Sequence, residues 1–589
     1  MSNETTAISC EVDECPSNIL NSLYISKCRE WISKLTVKVP IFDESQLFEM
    51  YKSYCFAMKN QIGADDRLLF SNAYHNSTLQ LFAELGYKRV VGIDSDRRVY
   101  DEPNYWRVKF YRDDVLNTHM PPSFFKAYFA LRTINKISYN RRALSPKTRL
   151  DRKAVLALMN RFFEEASRIV KAGGFLAMSI MYSSSSVQGM AGMSIFNKDY
   201  ITSMLNIAEV HGFTPLSRIE LDAVNGPITC EGLECTLLFV AFKLNKQDHA
   251  ELPEKVNIVS PMRGQEGITI YAENLKRRFE GIGVGVNLIK NLKDRDRRYP
   301  TILEHEPGLY WNRILWELMF DDSIYVDLHG WFYSLREIMA TLVDVGRGLL
   351  SRRWLCCPRS QWNSVWRSLR HLLFAIIVDL TNLLPITLHP NTLVKTTDPD
   401  SRLTCCLKNF YVVPHIAYPD LGVRARATGL RICSFGFAMR HKNFDKVCDL
   451  ALRLKIPCRL ILSINTATRD AAEESLKVIA ELSSKYSKFP NVEIYDGFFS
   501  ERDLLELMSD CSHVVFAQED TGGVSGSYRF PVQLGIPIIA TESFQAKDSQ
   551  VIRVKTLDDL DLEKLASIRE NINLDDGFEY LLAVLTHRR

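Results

Sequence analysis

Between Val514 and Thr541 the chain sets out the parts of an anion site. Val514-Val-Phe-Ala517 is an apolar run that reads as a buried strand. Glu519 follows it, then the turn Gly522-Gly523, then Ser525-Gly526-Ser527, which opens a short helix ended by Gly535. Backbone N–H groups at a helix start have no partner inside the helix. Where the residues around them are small, a phosphate can sit on them. The plain alternative is that the two glycines only turn a corner.

Such a site needs strands to hold it. Ile432 to Phe437 reads as a strand, Met439-Arg440-His441-Lys442 as a loop, and Asn443 to Leu454 as a helix. Cys458 to Ile464 is a strand, Thr468 to Tyr486 a long helix, and Val492 to Phe499 a strand containing Gly497. Ser500 caps the helix Glu501 to Met508, with Asp503 three residues on, a capping-box signal. Strands alternating with helices imply a parallel, doubly wound sheet. Ligands of such sheets lie beyond the carboxyl ends of the strands. Arg440, Lys442, Gly497, Glu519 and Ser525 all fall there, although a basic turn can also be no more than solvated surface.

These residues, in this order, resemble the C-terminal half of a GT-B glycosyltransferase of the large retaining family 4. There an acid ends a strand, a glycine loop cradles the diphosphate, and a Gly-x-Pro strand follows, here Gly535-Ile-Pro537. Many members carry a second glutamate eight positions after the first. Counting eight from Glu519 gives Ser527, so this chain resembles a subgroup with Ser-Gly-(Ser/Thr) at the helix start that lacks it. The resemblance implies that Glu519 holds donor-sugar hydroxyls. It implies that Arg440 and Lys442 neutralise the diphosphate, and that Gly497, Gly523, Ser525, Gly526 and Ser527 line the nucleotide sugar. No Asp-x-Asp motif sits in a donor site, so no divalent metal is expected, and no cofactor is needed for the transfer.

The resemblance continues upstream. Val256 to Ser260 is a strand, Pro261 to Gly267 a loop and Ile268 to Phe279 an amphipathic helix, like the opening of a GT-B N-domain with Gly267 as the loop glycine. Ile302 to Tyr310 resembles the subgroup's His-Glu-x-Gly element, and Val412-Val-Pro-His415 its Pro-His turn. Tyr325-Val-Asp-Leu-His329 resembles a strand ending in a histidine at the cleft, which makes His329 a catalytic candidate.

A different pattern occupies about residues 61–245. Arg67 to Phe70 is a strand, Thr78 to Leu85 a helix, and Arg89 to Ile93 a strand tipped by Asp94. An acid there can take a ribose hydroxyl pair. Lys126 to Leu131 reads as a strand, Val155 to Val170 as a helix stopped by Lys171-Ala-Gly-Gly174, and Phe175 to Ile180 as a strand. This order resembles class I S-adenosylmethionine-dependent methyltransferases. In an active member, Asp94 would hold the ribose and Asp113 or Asp114 would lie near the adenine. The first loop, Ser71 to Ser77, contains no glycine. A Cβ at each position crowds a cofactor's approach to the backbone, so the expectation is a methyltransferase-like scaffold.

The totals bound the rest. The 589 residues suffice for roughly three to four domains. Net charge is +3, so no basic field points to nucleic acid. The 14 cysteines include no C-x-x-C pair, which suits free thiols in a reducing, cytoplasmic setting. The stretch 347–388 mixes Arg, Trp and Leu and then runs apolar, but Asp379, Asn382 and Pro385 interrupt it. It is a poor membrane span that can lie on an anionic surface, or else is a buried helix with a solvated basic face. The expected architecture is α/β with three Rossmann-like domains. A helical lead-in (1–60) precedes the methyltransferase-like domain (61–245) and a linker (246–255). The GT-B N-domain (256–427) and C-domain (428–589) follow. The expected activity is transfer of a sugar from a nucleotide sugar to a glycan or lipid-linked acceptor, with retention. A bifunctional glycosyl- and methyltransferase and a non-catalytic nucleotide- or glycan-binding scaffold are the alternatives.

Overall fold

The computed structural model describes residues 22–35, 44–73, 77–95, 108–140, 152–183, 189–190, 193–217, 228–230, 233–246, 251–260, 267–305, 321–328, 389–394, 410–418, 420–465, 469–518, 529–541, 551–568 and 576–587, with the single residues 219, 221 and 386. The chain divides into two compact units at Ala250/Glu251. It is a mixed α/β protein whose three large sheets are dominated by parallel strands, consistent with Rossmann-like folds.

In the first unit, helices α1 (Ser22–Lys34) and α2 (Glu44–Lys59) lead to β1 (Leu68–Ser71), α3 (Ser77–Glu84), β2 (Val90–Asp94), β3 (Lys109–Arg112) and β4 (Phe125–Leu131). Then come α4 (Thr133–Asn140), α5 (Arg152–Ile169), β5 (Val170–Tyr182), α6 (Lys198–Val210), β6 (Phe213–Pro215), β7 (Ile228–Cys230) and β8 (Leu233–Leu244). The sheet runs β3-β2-β1-β4-β5-β8-β6, with β7 paired to β8. Strands β3 to β5 are parallel, while β8 is antiparallel to both β5 and β6. Strand order reverses between β1 and β4, which leaves a crevice at their carboxyl ends. Burial explains the strands: Leu68, Leu69, Phe70, Val90, Val91 and Ile93 are all 0% exposed. Each such side chain contributes on the order of 1.5–3 kcal/mol.

One expectation fails here. Lys171-Ala-Gly-Gly174 does not stop the helix ahead of a strand; β5 already begins at Val170. The glycines make a bulge, marked by a register shift against β4 between Phe125 and Ala127. Gly173 has φ +65°, and a Cβ on Gly174 would come within 2.7 Å of the Lys171 carbonyl oxygen. A bulge needs that backbone freedom, so glycines that look like a helix stop instead bend a strand.

The second unit holds two parallel sheets. The first contains β9 (Lys255–Val259), β10 (Gly285–Ile289), β11 (Thr301–His305), β12 (Ile324–Leu328), β13 (Thr392–Val394) and β14 (Tyr411–Val412), with helix α7 (Gly267–Gly281). Its order is β10-β9-β11-β12-β13-β14. The other contains β15 (Ile432–Phe437), β16 (Cys458–Ser463), β17 (Val492–Asp496), β18 (His513–Phe516), β19 (Ile538–Thr541) and β20 (Val551–Val554). Its order, β17-β16-β15-β18-β19-β20, reverses between β15 and β18. Helices α8 (Phe444–Leu454), α9 (Arg469–Tyr486), α10 (Glu501–Met508), α11 (Arg529–Gln533), α12 (Leu562–Ser567) and α13 (Gly577–Thr586) accompany it.

Helix α13 turns back to the first sheet's neighbourhood. Asp576, its N-cap, accepts from the Ala417 N–H at 2.8 Å and pairs with Arg278 of α7 at 2.5 Å. Phe578 meets Phe279 edge-on at 5.0 Å. A Cβ on Gly577 would lie 1.8 Å from the Pro414 carbonyl oxygen, so only glycine fits. Glu501 of α10 makes a second link, accepting from Asn274 at 2.8 Å and Arg277 at 3.2 Å.

Among the described residues, no helix is long and apolar enough to cross a membrane. Of the stretch 347–388 only Ile386 is described, so the expected surface helix lies outside the described residues.

Candidate functional site

The crevice of the second unit's last sheet is built at the carboxyl end of β15. The strand carries Phe435-Gly436-Phe437, and Gly436 takes φ +129°. The chain then makes a short 3-10 turn at Arg440–Lys442, where a loop was expected. Asn443 follows in the left-handed conformation, φ 49°, and caps helix α8. Its side-chain amide donates to the Ala517 carbonyl at 3.0 Å, tying the turn to the end of β18 across the switch point.

That turn sends Lys442 back over the strand end. A Cβ at position 436 would sit 2.7 Å from the Lys442 Nζ, so the ammonium lies close over the glycine. Nζ also lies 6.0 Å from the centre of the Phe437 ring. Lys442 is half-buried. Burial pulls its pKa down from the ordinary 10.5 to about 8. Among the described residues no carboxylate or other acceptor pairs with this ammonium. A desolvated cation with no counter-ion among the described residues favours an anion beside it.

Arg440 behaves differently. Its N–H donates to Glu474 at 3.0 Å, and its guanidinium pairs with Glu481 at 2.6 Å, with both side chains about 60% exposed. Gly497 lies just past β17 with φ +146°, and its N–H donates to the Leu462 carbonyl at 3.0 Å. Phe498 beside it is 52% exposed. Ser500 and Asp503 form the expected capping box. Gly267 is the first residue of α7.

His329, Glu519, Gly523, Ser525, Gly526 and Ser527 lie outside the described residues. The segments that reach them are described: β12 ends at Leu328, β18 runs out through Ala517 and Gln518, and α11 begins at the buried Arg529. Near the end of β12, Glu304 and Asp327 are register partners on neighbouring strands and are fully buried. Burial first, then these two carboxylates, raise the Tyr271 hydroxyl well above its ordinary pKa.

The first unit holds a second crevice. A cavity of about 220 Å³ lies at the carboxyl ends of β1, β2 and β4, lined by Asn72, Asp94, Asp114, Thr133 and Lys136 among others. Asp94 is at the tip of β2, as expected, and nearly fully buried. Asn72 stands in the first loop with φ 56°, doing without glycine what asparagine tolerates better than most residues. Asp114 caps the turn by accepting from the Leu116 N–H at 3.1 Å, and Asp113 accepts from His119 Nδ1 at 2.7 Å. Lys136 of α4 reaches into the cavity. Its Nζ donates to the Asn72 side-chain oxygen at 2.5 Å and lies 3.5 Å from the Asp94 carboxylate.

The lead-in helix α2 braces this crevice. Glu49, 3% exposed, pairs with Arg132 at 2.8 Å and accepts from Ser179. Arg132 has φ 51° at the corner between β4 and α4, so α2 fixes the helix that carries Lys136. The residue sequence reasoning missed in each crevice is instructive. Gly436 had a signal, since an isolated glycine inside a strand often marks a close approach. Lys136 had none, because its partners are 64 and 42 residues away.

In the first crevice the carboxylate that would accept ribose hydroxyls lies within 3.5 Å of the Lys136 ammonium.

Comparison with solved structures finds likenesses of low identity. AviGT4, a glycosyltransferase involved in avilamycin A biosynthesis, aligns at 13% identity with a TM-score of 0.34, covering 57% of this chain and 93% of its own. Geranyl diphosphate C-methyltransferase from Streptomyces coelicolor A3(2) aligns at 14% identity with a TM-score of 0.23, covering 38% and 85%. The PH0226 protein of Pyrococcus horikoshii OT3 aligns at 13% identity with a TM-score of 0.24, covering 36% and 98%. No protein-family model matches the chain. No curated protein matches it either.

Proposed function

We propose that the second unit is a glycosyltransferase that takes a nucleotide-activated sugar and passes it to a glycan or lipid-linked acceptor. What carries the reading is Lys442: a desolvated ammonium with no acceptor among the described residues, pressed on Gly436 at the switch point of a parallel sheet. In the reaction the bond between the anomeric carbon and the diphosphate oxygen breaks. A bond from the acceptor oxygen to that carbon forms, and the acceptor hydroxyl loses its proton. Negative charge grows on the leaving diphosphate. Lys442 would stabilise it, together with backbone N–H groups at Ser525 to Ser527. Glu519 would hold donor-sugar hydroxyls, His329 would line the reacting carbon, and the sugar would keep its anomeric configuration, as the family 4 resemblance implies.

Isothermal calorimetry with UDP and GDP tests the anion site. Wild type binds one of them, and Lys442→Ala binds it at least tenfold more weakly. Equal affinity in both proteins would remove the site. A panel of nucleotide sugars, scored for release of the nucleoside diphosphate, then names the donor.

A further inference from the structure

Lys34, Lys88, Lys136, Lys276 and Lys485 each pair with a carboxylate, in turn Glu30, Asp65, Asp94, Glu280 and Asp449. The Lys442 Nζ has the Gly436 backbone and the Phe437 ring as neighbours, and no acceptor among the described residues. Its turn is fixed on both sides. The Lys442 N–H donates to the Met439 carbonyl at 3.1 Å, and the Asn443 side chain donates to the Ala517 carbonyl at 3.0 Å. The amine is thereby held at the strand end, half-buried rather than sealed. Desolvation favours the uncharged form of an ammonium, and an uncharged amine is a nucleophile. At pH 7.5 more of this amine is uncharged than of a lysine at the ordinary 10.5.

We propose that the Lys442 Nζ is an acylation site for acyl phosphates, and that its acylation switches the anion site off. The second half rests on the anion-site reading given above; the first does not. Two needs meet at this atom and set the class of reagent. The ammonium form draws an anion into the crevice, and the amine form attacks a carbonyl carbon. An acyl phosphate answers both, because its carbonyl carbon is bonded directly to a phosphate oxygen. The nitrogen attacks that carbon and a C–N bond forms. The bond from the carbon to the phosphate oxygen breaks, inorganic phosphate leaves with the electron pair, and the nitrogen gives its proton to water. The product is a neutral amide, so the charge that held the anion is gone. A bound anion blocks the reaction twice over, by covering the amine and by favouring its protonated form.

The test treats the full chain with acetyl phosphate at pH 7.5 and follows each lysine by peptide mass spectrometry. Lys442 is expected to be acetylated about tenfold faster than Lys485, although the Lys485 side chain is 53% exposed. Inorganic pyrophosphate should slow the labelling of Lys442 and leave that of Lys485 unchanged. Calorimetry then reads the switch: acetylated wild type should bind pyrophosphate about tenfold more weakly than untreated protein. Lys442→Arg, which acetyl phosphate does not acylate at that position, should keep through the same treatment whatever affinity it had before. Labelling of Lys442 no faster than that of Lys485 overturns the acylation site. Fast labelling that pyrophosphate does not slow, or an affinity that acetylation leaves unchanged, overturns the switch. Pyrophosphate carries no sugar or base, so these outcomes stay separate from a panel of nucleotide sugars that finds no donor.

Discussion

The two crevices each hold a lysine at the carboxyl ends of parallel strands, and the lysines are treated in opposite ways. Lys136 is satisfied from within: it donates to an amide oxygen and pairs with a carboxylate of the same unit. Lys442 is half-buried and left without an acceptor among the described residues, so burial pulls its pKa down. A cation neutralised by its own fold closes a site, because a ligand must first displace it. A cation that no described residue neutralises leaves a site open to an anion. Among the described residues, parallel sheets with the same kind of strand reversal thus surround their lysines differently, one with a carboxylate and one without.

The contrast can be broken most severely by damaging one unit alone. Gly577→Ala drives a methyl into the Pro414 carbonyl, where the gap is 1.8 Å. It should destabilise the second unit by about 3 kcal/mol. Differential scanning calorimetry is expected to show one transition moving down while the transition of the first unit stays. A shift of both would mean that the units do not melt separately.

Next in size is the anion affinity. Lys442→Ala should weaken nucleoside-diphosphate binding by about 2 kcal/mol, the scale of a lost charge-assisted hydrogen bond. The same group sets a pH dependence. Its folded pKa, about 8, lies below the ordinary 10.5, so between these values the unfolded chain holds a proton that the folded chain has released. The stability of the second unit from this group therefore rises as pH goes from about 8 to about 10.5. Diphosphate affinity falls over that rise as the ammonium is lost. Titrations at pH 7 and pH 9 check this. In Lys442→Arg, always charged, the fall should be absent.

A smaller effect separates the lysines without any ligand. Removing a charge that the fold desolvates should help, and removing one that it satisfies should hurt. Lys442→Met is expected to raise the second unit's stability by up to about 1 kcal/mol. Lys136→Met should lower the first unit's by about 0.5 kcal/mol. Urea unfolding of both variants at pH 7 reads the two signs, and equal signs would dissolve the comparison. The smallest change expected is from Arg440→Ala. Its pair with Glu481 is exposed on both sides, so the loss should stay under about 0.5 kcal/mol. A diphosphate affinity that falls as far as in Lys442→Ala would move Arg440 into the site.

How much of this could be read from the chain follows from the range of the interactions. Strand Ile432–Phe437 and helix Glu501–Met508 sit where pattern alone places them, because apolar runs and a capping box are local signals. Strand β5 starts at Val170, ahead of the Phe175 that the pattern suggests, since Lys171 to Gly174 carries a turn signal that a bulge also produces. Helix α4 gave no warning, and it is too short for a period to show. The residues around Glu519 and Gly523 were picked out by spacing, while the closeness of Lys442 to Gly436 needed the strand end in three dimensions. Which lysine finds a carboxylate depends on strand order, and strand order is not written in any window of sequence.

Asp576 must cap α13 and accept from Ala417, a partner 159 residues earlier. On a ribosome adding about 5–20 residues per second, Ala417 waits roughly 8–30 s for that contact. Arg278, Phe279 and the Pro414 carbonyl wait with it. During that interval the α7 side chains Arg278 and Phe279 and the turn at Pro414 lack the helix that will later meet them. Nascent chains of this protein should therefore be protease-sensitive near Pro414 until synthesis has passed Thr586, and a chaperone that shields apolar surface has its longest opportunity there.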